Sequence, residues 1–170
     1  RHDDFFDLGG DSQKAIALAL QIEQTFGASF ESSAIVERST IAQQVEFLET
    51  QQSQPDTGIP AWLTGVHVAG DKPVLFYVHG SLGVTYLDRE FFDFMGSDQP
   101  IYFFRLPGLK EGEAALETVE KLAETYVTAM RRVQPNGPYR IAVSCGCAPI
   151  GLEMSLQLED AGQSTDALVL

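Results

Sequence analysis

Apolar residues near the start of the chain recur at three- and four-residue steps. Ala15, Leu18, Ala19, Ile22 and Phe26 fall on one face of a predicted helix, and Gly27 follows as a residue that ends it. Ile41, Val45 and Leu48 repeat the period, with Thr40 as an N-cap, and no strand pattern intervenes. Thr50 to Pro60, TQQSQPDTGIP, is polar, holds two prolines and a glycine, and predicts a linker. From Val66 the pattern changes. PVLFYVHG and PIYFFRLPG are continuous apolar runs that stop at glycine, as strands covered on both faces do. YRIAVS and DALVL predict two more strands. Between PIYFFRLPG and YRIAVS, Thr118 to Gln134 carries Val119, Leu122, Ala123, Tyr126, Val127, Met130 and Val133 on one side, and NGP closes it. Ala148 to Ala161 predicts a further helix. Strands alternating with helices predict a parallel α/β sheet with right-handed crossovers. The chain therefore divides into helices over 1–52, a linker over 53–64 and an α/β unit over 65–170.

Composition narrows the function classes. The 170 residues are 44% hydrophobic, which suits packed cores rather than a disordered chain. A net charge of −13 disfavours a nucleic-acid partner, because phosphate binding needs a basic face. No apolar run is long enough to cross a bilayer, so no membrane partner is expected. The two cysteines, Cys145 and Cys147, make no disulfide framework, and a reducing cytoplasm is the expected setting.

The first stretch with chemistry in it is DDFFDLGGDSQ, Asp3 to Gln13. Gly9 and Gly10 allow a sharp turn, and Asp11 or Ser12 can cap the helix that follows. A serine at that place is open to an enzyme that would modify it, and a plain capped helix reads equally well. The longer string FFDLGGDS, its helix and the later TIAQQVEFL helix resemble the attachment site of acyl and peptidyl carrier domains in nonribosomal peptide and polyketide synthases, over Asp3 to Thr50. The resemblance implies that Ser12, beside Asp11, carries a 4′-phosphopantetheine arm installed by a phosphopantetheinyl transferase. It further implies upstream synthase domains in the same polypeptide and an acyl or peptidyl thioester substrate. Such domains hold one more helix before this motif, so the expectation is a carrier bundle without its first helix.

The second is YRIAVSCGCAPIGLEM, Tyr139 to Met154, a strand, a turn of small residues and a helix. Such an elbow strains a nucleophile into the open, and backbone N–H groups around it can hold an oxyanion. Two registers compete. Ser144 has small residues, Ala142 and Gly146, at both outer positions. Cys145 has the bulkier Val143 on one side, yet it places Pro149 nearer the first helical turn, where proline is tolerated.

Pro73 to Leu170 resembles the thioesterase domains that end such synthases, which are α/β-hydrolases. GPYRIA and LEMSLQL align without gaps when Cys145 stands at the nucleophile, and Ser144 needs a deletion and an insertion. Val143 and Cys147 depart from family glycines. By the same resemblance, Gly146 and Ser81 of HGSLG form the oxyanion hole. His79 is read as orienting that loop, not as a catalyst. A metal site is not expected, because two thiols without clustered histidines fall short of a ligand set.

A hydrolase triad runs nucleophile, acid, histidine along the chain. His2, His67 and His79 all precede the elbow, and Asp160 and Asp166 stand too early. The expectation is an α/β-hydrolase fold lacking its C-terminal part, a fragment of a larger synthase with little turnover alone. In the parent, the acyl chain held as a thioester passes to the elbow nucleophile and leaves by hydrolysis, cyclisation or condensation. The alternative is a working carrier fused to a degenerate, non-catalytic docking module, which the unusual VSCGC elbow motivates.

Overall fold

The computed structural model describes residues 2–27, 30, 32–53, 58–85, 89–109 and 113–169, leaving aside the side chains of residues 12, 32, 33, 37, 50–53, 89 and 145. The chain forms two compact units. One takes Arg1–Thr57 with Tyr86–Gly96, the other Gly58–Thr85 with Ser97–Leu170.

The first unit is helical: α1 (Ser12–Phe26), α2 (Ser32–Glu37), α3 (Ile41–Ser53) and α4 (Arg89–Met95). Its core is Ala15, Ala19, Phe30, Ala34 and Ile35, with Leu18, Ile22, Phe47 and Leu48 packed on it. The apolar face predicted for α1 is therefore inward except at its end, where Phe26 is exposed. Gly27 closes α1 in the left-handed conformation (φ 66°), its N–H donating to Glu23 O at 2.8 Å. Thr40 caps α3 reciprocally with Gln43. The Gln43 N–H donates to Thr40 Oγ1 at 3.3 Å, and the Thr40 N–H to Gln43 Oε1 at 3.2 Å.

The inward face of α3 differs from the expected one. Ile41 and Val45 are exposed, and Gln44, Phe47 and Leu48 turn inward. The aromatic edge contact of Phe47 with Phe30, 5.6 Å between centroids, sets this rotation. Gln44 follows it by donating to Arg38 O at 3.0 Å.

The second unit is a five-stranded sheet of β1 (Leu63–Val66), β2 (Leu75–Val78), β3 (Ile101–Phe104), β4 (Tyr139–Val143) and β5 (Thr165–Val169), in the order β1-β3-β2-β4-β5. The four expected strands are parallel to one another, and β1 joins antiparallel to β3 at the edge. Four residues interrupted by Gly65 carry too little alternation for β1 to show in the sequence. The short helices α2 and α4 escaped the pattern for the same reason.

Two longer helices, α5 (Val119–Val133) and α6 (Ala148–Asp160), pack together. The core beneath them holds Phe76, Phe104, Tyr126, Met130, Tyr139, Ile141 and Met154, all fully buried. Tyr126 stacks on Phe104 at 4.3 Å. Among the described residues, no helix is long and apolar enough to cross a membrane.

Thr118 caps α5, its hydroxyl accepting from the Lys121 N–H at 3.2 Å. Thr118→Ala leaves that donor without its cap and is expected to lower the unfolding free energy by about 1 kcal/mol, read as a shifted urea midpoint.

Candidate active site

The adjacent parallel strands β2 and β4 place Val78 opposite Val143, so the segments leaving their C-terminal ends run side by side. The Ser144 N–H continues the ladder by donating to Val78 O at 3.1 Å. Beyond it, Cys145–Cys147 form one 3-10 turn and α6 starts at Ala148. Beyond Val78, His79 leads into a turn closed by Gly83 N–H to Gly80 O at 2.9 Å and Gly80 N–H to Val84 O at 3.2 Å.

These two segments meet. The Ser81 hydroxyl lies 3.0 Å from the point a Cβ on Gly146 would occupy, so any residue with a side chain at 146 presses on Ser81. The Ser144 hydroxyl lies 3.5 Å from the corresponding point on Gly80. Ser81 and Gly146 are exposed, and Ser144 is half-buried. The strain expected of an elbow is absent at Ser144, whose φ of −86° and ψ of 123° are ordinary extended backbone. Pro149 stands at the second position of α6, where it costs no helical hydrogen bond. Because a separate turn precedes that helix, Pro149 fits either register. The Cys145 side chain lies outside the described residues.

His79 is buried and its Nδ1–H donates to Gly80 O at 2.7 Å. A carbonyl can only accept, so Nδ1 carries the proton and Nε2 does not. Cys147 places its Sγ 3.8 Å from the same Nδ1. The ring meets Tyr126 edge-on at 6.0 Å. Burial holds the His79 pKa below 6.5, against a smaller opposing effect of the Gly80 bond, and burial likewise pushes the Tyr126 phenol up. A neutral imidazole committed to Gly80 anchors the turn that carries Ser81, and its bonded nitrogen is no proton acceptor.

Asp166 lies at the opposite end of the sheet, where Arg140 donates to its Oδ2 from Nε at 3.1 Å and from a terminal nitrogen at 3.0 Å. Asp160 ends α6. Among the described residues no group of three or more His, Cys, Asp or Glu could hold a metal ion.

In the helical unit, Gly10 is required by close approach. A Cβ there would fall 2.4 Å from the Phe5 ring and 2.5 Å from Phe5 O. The Asp4 carboxylate shapes the loop, accepting from the Phe6 N–H at 2.8 Å and from the Ser39 hydroxyl. Asp11 is the N-cap of α1, accepting from the Lys14 N–H at 2.9 Å, and that bond holds its carboxyl below its usual range. Ser12 is thereby the first residue of a capped 15-residue helix, between exposed Asp11 and Gln13. Its side chain lies outside the described residues. The position suits a phosphodiester, since a helix N-terminus favours negative charge.

The lowered pKa of His79 has a sign. As pH falls below 6.5 the unfolded chain takes up a proton that the folded chain resists, so folding loses stability until the folded pKa is reached. The drop in urea midpoint between about pH 7.5 and about pH 5.5 is expected to shrink in His79→Gln.

A family profile described as "Phosphopantetheine attachment site" matches residues 1–48, and one described as "Thioesterase domain" matches residues 73–170. The chain is 32% identical over 168 residues to a dimodular nonribosomal peptide synthase of Bacillus subtilis (strain 168), covering 99% of the chain and 7% of that protein. It is 28% identical over 167 residues to atromentin synthetase of Tapinella panuoides, covering 95% of the chain and 17% of that protein. With indigoidine synthase of Streptomyces lavendulae it shares 29% over 170 residues, covering 99% and 13%. The chain thus spans between 7 and 17% of the length of these relatives.

Among solved structures, holo-AB3403, a four-domain nonribosomal peptide synthetase bound to AMP and glycine, matches with a TM-score of 0.60 and 27% identity over 98% of the chain and 12% of its own. The NocB thioesterase domain from the nocardicin cluster matches with a TM-score of 0.56 and 21% identity over 62% and 47%. The helical region is followed by an α/β-hydrolase sheet. With the thioesterase profile spanning residues 73–170, the chain belongs to the thioesterase domain family and carries a 4′-phosphopantetheine attachment region ahead of that domain.

Proposed function

We propose that the chain is the carrier and chain-release region of a multidomain synthase, divided as carrier 1–52, linker 53–64 and thioesterase 65–170. Ser12 holds the 4′-phosphopantetheine arm after a phosphopantetheinyl transferase has acted, with Asp11 fixing the helix start beneath it. The arm supplies a thiol that holds the acyl chain as a thioester. Cys145 is the nucleophile and Ser144 its alternative. The Cys145 sulfur attacks the thioester carbonyl carbon, a new C–S bond forms, the substrate's C–S bond breaks, and the departing thiolate takes a proton. Gly146 and the segment at Ser81 supply N–H donors to the oxyanion of the tetrahedral intermediate. Water, or a hydroxyl, amine or carbon nucleophile of the substrate, then takes the acyl group, giving hydrolysis, cyclisation or condensation. The Nδ1–H of His79 is committed to Gly80 O, so that nitrogen does no base work at the site.

One observation carries the reading: the Ser81 hydroxyl lies 3.0 Å from the Cβ point of Gly146, which brings the two donor segments to one place. A thiol nucleophile suits a thioester, because a thiolate needs less help from a base than a hydroxyl does. Sharing one polypeptide keeps the local concentration of tethered substrate high. The 3-10 turn that opens at Cys145, in place of a strained elbow, favours the second reading, a working carrier fused to a non-catalytic docking module.

Intact-protein mass spectrometry of the full-length synthase, loaded at Ser12 with hexanoyl-phosphopantetheine, separates the two. Hexanoyl on residue 145 as well as on the arm, with the former lost in Cys145→Ala, is the expected result. Label confined to Ser12, with no release, supports the docking module.

A further inference from the structure

We infer that the buried Arg105–Glu113 pair is a positioning device for the release site, holding the chain that leaves β3 so that Leu106 pins the turn carrying Ser81 beside Gly146. This inference rests on the site reading above.

The Gly80–Val84 turn has two tethers. At its entrance, His79 donates to Gly80 O at 2.7 Å. At its exit, the Leu106 N–H donates to Gly83 O at 2.7 Å. The second contact is close: a Cβ on Gly83 would fall 2.8 Å from Leu106 Cβ and 2.8 Å from Leu109 Cδ1, and Gly83 has a φ of +76°. Where Leu106 sits therefore fixes where the exit of the turn sits, and Ser81 lies between the two tethers.

Leu106 is itself held by the guanidinium of its neighbour. One terminal nitrogen of Arg105 donates to Leu106 O at 3.2 Å and to Glu113 Oε2 at 2.9 Å, and the other donates to Glu113 Oε1 at 2.5 Å. Glu113 Oε2 also accepts from the Gly108 N–H at 3.0 Å. A single carboxylate thus ties Arg105, and through it Leu106, to Gly108. The Arg105 backbone is fixed at both ends, its N–H donating to Trp62 O at 2.8 Å and its carbonyl accepting from the Tyr126 hydroxyl at 3.2 Å. The Arg105 side chain is 5% exposed and that of Glu113 21%.

A buried ion pair is a weak source of stability, because the desolvation of both charges offsets most of their attraction. Its two-pronged geometry does something an apolar pair does not: it permits one placement of the Leu106 peptide. Position matters at an oxyanion hole, where donors have to meet an oxygen within tenths of an ångström.

The test uses the full-length synthase and S-hexanoyl-N-acetylcysteamine, a soluble thioester that bypasses the carrier. Arg105→Met with Glu113→Leu replaces the fork by apolar side chains that the core accepts without unpaired charge. The expected result is a fall in kcat of about ten- to a hundred-fold with KM held within about twofold, and an unfolding midpoint no lower than that of the parent. A kcat within about twofold of the parent overturns the inference. So does a joint fall in kcat, KM-defined binding and unfolding midpoint, which marks a structural role only. Thioester cleavage that survives both Cys145→Ala and Ser144→Ala overturns the site reading, and the positioning role with it. Cleavage lost in those variants but kept in the apolar pair overturns the positioning role alone.

Discussion

The pairing of β2 with β4 is the constraint on which the site depends. Parallel strands in register deliver their following segments to the same end of the sheet. With Val78 opposite Val143 and the Ser144 N–H on Val78 O, the HGSLG turn and the elbow have nowhere to go but beside each other. The β4–β5 pairing sets Asp166 and Arg140 at the far end, where they form a surface ion pair. A slip of one residue between β2 and β4 would turn Phe76 and Ile141 away from the core and separate Ser81 from Gly146. Core packing and site geometry are therefore one requirement.

Polar groups around the site are buried in service of backbone placement. His79 gives its one proton to Gly80, and the Tyr126 hydroxyl gives its proton to Arg105 O. Glu113 gathers a guanidinium and a peptide N–H. Each bond ends on, or holds, a segment that leads to Ser81. Such networks favour one arrangement because any half-made version leaves a buried polar atom unpaired.

Much of this was legible in the sequence, and the unread parts have identifiable causes. Two of the four parallel strands announced themselves as continuous apolar runs, and α1 and α5 as periodic faces. β1 is broken by Gly65, and the six- and seven-residue helices α2 and α4 hold too few positions to show a helical period. Ile41 and Val45 misled because periodicity reports that a face is apolar, not which partner rotates it inward, and the Phe30–Phe47 contact decided that. At the site, the resemblance to thioesterase domains was what proposed Ser81 as the partner of Gly146, and the two segments meet. Arg105 and Glu113 could not, although a lone arginine inside YFFRLPG was a signal: a charge at the end of a buried strand needs a partner. The motif led us to expect strain at the elbow nucleophile; instead Ser144 is ordinary extended backbone and Cys145–Cys147 form a separate 3-10 turn before α6.

The claim that these two segments form one oxyanion hole is open to direct view. A crystal structure of the full-length synthase inactivated with a hexyl trifluoromethyl ketone would trap the tetrahedral adduct. The account predicts a bond to the sulfur of residue 145 and the adduct oxygen about 2.7–3.1 Å from the N–H groups of both Gly146 and Ser81. An adduct on Ser144, or an oxygen turned to solvent away from both donors, would contradict it.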